Sequence, residues 1–99
     1  ISTVLKSNSK LTTLSLECTG IDDEGCQIIS EALKSNSALT NLNIKMNKIG
    51  DKGLKSLFDE LKSNSTLTTL EIEGNNLNNE IMQMINQIRK KKPYLKIIL

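Results

Sequence analysis

The chain has 99 residues, a formal net charge of +2 and 37% hydrophobic residues, which suits one small domain. Its charges are interspersed, Arg89 is the one arginine among thirteen cations, and Phe58 and Tyr94 are the only aromatics; nucleic-acid readers use arginine forks and stacking rings, so that class is excluded. Histidine is absent and no apolar run approaches the ~20 residues that span a bilayer, which removes the commonest general base and metal ligand and leaves no transmembrane helix to expect.

Along the chain, Lys-Ser-Asn-Ser occurs at Lys6 to Ser9, Lys34 to Ser37 and Lys62 to Ser65, with starts 28 residues apart. A fixed period of this size marks stacked repeats, each unable to bury its apolar face alone. Residues 1–10 read as the tail of one unit, and 11–38, 39–66 and 67–94 as complete units. Residues 95–99 open a further strand. Ile1 already sits late in a unit and is not a methionine, so a piece of a longer protein is expected.

Each unit opens on alternating apolar and polar residues: Leu14-Ser15-Leu16, Leu42-Asn43-Ile44 and Leu70-Glu71-Ile72. Period-two alternation predicts a short strand with one buried face. The second half changes period. Ile21, Cys26, Ile28, Ile29, Ala32 and Leu33, then Ile49, Leu54, Leu57, Phe58 and Leu61, recur at the three- and four-residue spacings of an amphipathic helix. Asp22 and Asp23, Asp51, and Asn78 and Asn79 precede the helices, where acidic and capping side chains belong. A strand and a helix per unit predict an α/β solenoid, with parallel strands on the concave face and helices on the convex face.

Lys-Ser-Asn-Ser falls between helix end and next strand. Lysine there complements the helix dipole, and the asparagine is expected to stop the helix in a left-handed conformation. In the last unit Lys-Lys-Lys-Pro-Tyr replaces the connector, Met82 and Met84 widen the apolar face, and alternation points Ile97 outward. Self-association through an exposed solenoid end is one consequence. Cys18 and Cys26 lack paired metal-ligand spacing, so two free, mostly buried thiols in a reducing compartment are expected, and no cofactor or metal.

The frame LxxLxLxxNxL followed by a helix runs through Leu11, Leu14, Leu16 and Ile21, through Leu39, Leu42, Ile44, Asn47 and Ile49, and through Leu67, Leu70, Ile72, Asn75 and Leu77. It resembles the ribonuclease-inhibitor-type leucine-rich repeat and extends over nearly the whole chain. The resemblance implies a right-handed leucine-rich-repeat solenoid over 1–99, with a side-chain amide satisfying backbone groups at each turn. Asn47 and Asn75 match that position, and Thr19 departs from it.

On alternation, the outward strand residues are Thr13, Ser15 and Glu17, then Asn41, Asn43 and Lys45, then Thr69, Glu71 and Glu73. The resemblance makes this polar face the partner surface of a non-catalytic, cytoplasmic protein-interaction module whose partner is another protein, with neither nucleic acid nor membrane involved. Two other functions go with relatives of the same repeat type: activation of a GTPase, as in Ran GTPase-activating proteins, and actin pointed-end binding, as in tropomodulins. The basic run Arg89 to Lys92 favours the second of these. Glu71 and Glu73 share a strand face, yet the pattern supplies neither further oxygen ligands nor a nucleophile, and solvated surface charge is expected. Asp22, Asp23 and Glu24 read as helix-start electrostatics.

Overall fold

The computed structural model describes residues 11–99. The opening unit expected at 1–10, with its Lys6 to Ser9 connector, lies outside the described residues. Among the described residues, four strands and three helices alternate: β1 (Thr13–Ser15), α1 (Asp23–Ser35), β2 (Asn41–Asn43), α2 (Asp51–Leu61), β3 (Thr69–Glu71), α3 (Asn79–Lys91) and β4 (Lys96–Ile98). The strands pair in parallel in chain order, and the helices stack beside one another on one side, as the alternating periods predict.

Between strands and helices lies one core. Leu42 and Leu70 enter it from the strands, Leu16, Ile44 and Ile72 from the residue just past each strand, and Ile29, Leu33, Leu54, Leu57, Phe58, Leu61, Ile81 and Ile85 from the helices. Full burial of side chains of this size is worth about 1.5–3 kcal/mol each, which outweighs the short helices' weak intrinsic preference. Ile28 is the exception to the expected helix face. It is 45% exposed, on the flank of α1 rather than in the core.

The helix starts couple neighbouring units. Asp22 caps α1 by accepting from Gly25 N at 3.0 Å, and Asn78 caps α3 by accepting from Ile81 N at 2.9 Å. The N-cap of α2 is Gly50, which has no side chain to offer. Asp23 of the preceding unit supplies the missing acceptor, its Oδ1 taking Gly50 N at 2.6 Å and Gly53 N at 3.0 Å. Asp51 continues the series by accepting from the Asn78 side chain. This approach is so close that a Cβ at Gly53 would lie 2.9 Å from Asp23 Cα, so glycine is required inside a helix it otherwise weakens.

The connectors correct one expectation. Asn36 has φ −101° and ψ 120°, extended rather than left-handed. Its Oδ1 instead accepts from Ala38 N at 3.0 Å and Leu39 N at 2.7 Å, and Asn64 repeats the arrangement on Thr66 N and Leu67 N. The asparagine therefore folds the chain into the next strand by an Asx turn. Lys34 and Lys62 pair with Glu31 and Asp59 one turn back, on exposed ground where such pairs contribute little.

A second correction concerns the final strand. Leu14 faces Leu42 and Leu42 faces Leu70, steps of 28 residues, but Leu70 faces Ile97, a step of 27. The last connector is one residue shorter, and a one-residue slip exchanges the two faces of a strand. Ile97 consequently points inward and is 6% exposed, while Lys96 points out. Arg89 fixes this strand by donating from Nη2 to Ile97 O at 2.8 Å. Lys92 donates to Asn64 O at 2.7 Å and lies 5.8 Å from the Tyr94 ring centre. Two of the four cations in the basic run thus hold the last unit together.

Candidate functional site

The strand residues predicted to face outward form one surface. Thr13, Asn41, Thr69 and Lys96 make one row across the sheet, and Ser15, Asn43, Glu71 and Ile98 the next. Beyond the strand ends the ladder continues from Cys18 N to Lys45 O and from Met46 N to Glu73 O, which aligns Glu17, Lys45 and Glu73 as a third row. All nine expected residues are at least partly exposed.

Hydrogen bonds and charge link these rows. Asn43 Nδ2 donates to Ser15 Oγ and Glu17 Oε1, both at 3.3 Å, and its Oδ1 accepts from Lys45 N. Lys45 Nζ stands 3.5 Å from Glu17 and 3.9 Å from Glu71. Glu17 first, with Glu71 and Glu73 adding to it, raises the Lys45 ammonium above the ordinary lysine range despite some desolvation. One lysine among three glutamates leaves this part of the face acidic in a chain that is basic overall. Glu71 is a surface charge that shares Lys45 with Glu17.

At the strand ends the chain turns through three equivalent positions with positive φ: Cys18 at 56°, Met46 at 58° and Gly74 at 78°. Only the last is a residue that adopts this conformation without cost. Immediately behind lie Thr19, Asn47 and Asn75. Asn47 Oδ1 accepts from Thr19 N at 3.1 Å and Ile21 N at 3.0 Å, while its Nδ2 reaches Leu16 O, Ile44 O and Lys45 O. Asn75 accepts from Ile49 N and donates to Ile44 O and Ile72 O. Thr19 Oγ1 donates to Leu16 O at 2.7 Å, which reproduces the local half of the amide's bonding.

The cysteines differ from the expected pair of mostly buried thiols. Both are free, but Cys18 is exposed at the turn and Cys26 is sealed in the core. Burial, reinforced by the charge of Asp23 and only partly opposed by Ser30, pushes the Cys26 thiol up to about 12. The thiolate is the reactive form, so a maleimide at pH 8 should label one cysteine in the native protein and two after unfolding. Rapid native labelling of both would contradict this burial.

The sequence matches the family described as Leucine Rich repeat over residues 7–30, 35–58 and 63–85, most of the chain. The chain belongs to the leucine-rich-repeat family. Among solved structures, this leucine-rich-repeat protein is similar to the one titled leiomodin-1 actin-binding site 2, with a TM-score of 0.89 and 28% identity. That match covers 98% of this chain and 58% of the other, so the leucine-rich-repeat chain spans just over half the length of its structural relative. No curated protein matches the sequence. Among the described residues, no helix is long and apolar enough to cross a membrane.

Proposed function

We propose that this leucine-rich-repeat domain is a non-catalytic protein-interaction module, that its strand face is the binding surface, and that actin is the partner to which it is directed. The single observation behind the choice of partner is that 98% of this chain superposes on part of the leiomodin-1 actin-binding structure, 58% of that chain, at 28% identity. The 28-residue step between the first three strands and the asparagine at each of two turns support the ribonuclease-inhibitor subtype. Free thiols, one on the surface, fit a reducing intracellular compartment.

Binding of monomeric actin, followed by calorimetric titration of the full chain, tests this reading. Saturable binding, weakened when Glu71 and Glu73 are both changed to lysine, is the expected result. Reversal of rim charges alters association more than packing, so the double variant should fold normally. No heat of binding at either of two well-separated temperatures would overturn the actin assignment, because apolar burial makes the binding enthalpy change with temperature.

A further inference from the structure

Met46 is 55% exposed, the most exposed of the large apolar side chains among the described residues. It also holds a left-handed backbone, φ 58°, that a long side chain adopts only at a cost. One repeat later the equivalent position is Gly74, and Met46 lies directly over it. A Cβ built on Gly74 would strike the Met46 sulfur and stand 3.0 Å from Met46 N and Cα. Gly74 thus clears a shelf on which the thioether rests, at the rim of the strand face and beside Lys45 and Glu73.

Gly74 takes the equivalent turn position one repeat later without strain, so the turn itself does not call for a methionine. Met46 N donates to Glu73 O through the backbone, a bond indifferent to the side chain. Strain of this kind persists where it serves a site, and methionine's flexible, polarisable side chain suits a surface that receives another molecule. Resting on the proposed protein-binding reading, we infer that Met46 is the apolar anchor of that surface. Its counterpart is a protein segment presenting an apolar side chain beside a cation. The apolar group packs on the thioether, and the cation faces Glu73 and Glu17.

The test pairs stability with binding. Met46→Gly relieves the left-handed strain, so its Tm should rise by about 4 °C, while its affinity for monomeric actin falls about ten-fold or more. Cys18→Gly, which relieves the same conformation one repeat earlier, calibrates the stability gain. Met46→Leu should keep most of the affinity. A lower Tm for Met46→Gly would show a structural residue and overturn the inference. Unchanged actin affinity in a wild-type protein that binds would overturn it while leaving the proposed function standing. A wild-type protein that fails to bind actin would remove the proposed partner, and the anchor with it.

Discussion

Replacing Phe58 with alanine should destabilise the domain by about 3–5 kcal/mol, the cost of emptying a fully enclosed aromatic site. Phe58 is 0% exposed and belongs to the largest fully buried side chains. The equivalent positions in neighbouring units are Ser30, buried and bonded to Cys26 O, and Asn86, exposed. No other unit therefore supplies a ring at this level of the stack. The middle helix fills the space from one side, and its neighbours carry small or outward residues. In a domain whose total stability is of the order of 5–15 kcal/mol, the loss is a large fraction. Thermal unfolding should show Tm lowered by at least ~12 °C, with Phe58→Leu much milder because it keeps most of the volume. A Phe58→Ala protein melting within a few degrees of wild type would contradict the packing described.

Asn47→Ala should cost about 3 kcal/mol, since it strands Thr19 N and Ile21 N together and each unpaired, partly buried donor costs about 1–3 kcal/mol. The carbonyls it abandons fare better. Leu16 O keeps the Thr19 hydroxyl and Ile44 O keeps Asn75. Asn75→Ala strands one such amide, Ile49 N, and should cost about half as much. Denaturant unfolding of both variants, with unchanged m, gives the ranking. Equal or reversed losses would mean that the amide of Asn47 does not carry the turn between the first two units.

The sequence revealed the architecture because its period is rigid. Leu14, Leu42 and Leu70 recur at the spacing at which they stack, so the strands, the core face and the nine outward residues followed from alternation. The same ruler failed at β4. Lys-Lys-Lys-Pro-Tyr shares only its first lysine with the earlier connectors, and the missing position became visible only when Ile97 paired with Leu70. Asn36 and Asn64 were recognisable as connector residues, but an Asx turn and a left-handed cap use the same amino acid. The bonds of Arg89 to Ile97 and of Lys92 to Asn64 join residues by packing, and a run of cations does not announce them.

Within the strand face, the outward residues were legible and their coupling was not. The sharing of Lys45 between Glu17 and Glu71 depends on how side chains lean across three strands. The rim left one signal unused: Gly74 stands in the column of Cys18 and Met46, which marks a position where the backbone needs positive φ. That comparison also makes Cys18 an exposed turn residue rather than a core thiol. The acidic rows, the rim and the ladder of turn amides behind them form one continuous side of the solenoid, with the helices on the other.

The most direct test of that surface is amide hydrogen exchange of the full chain with and without saturating monomeric actin. Exchange should slow at the strand ends and rim, around residues 17–18, 45–46 and 73–74, with the outer faces of α1, α2 and α3 unchanged. Protection confined to the helices, with exchange at the rim unaltered in a complex that forms, would contradict this assignment.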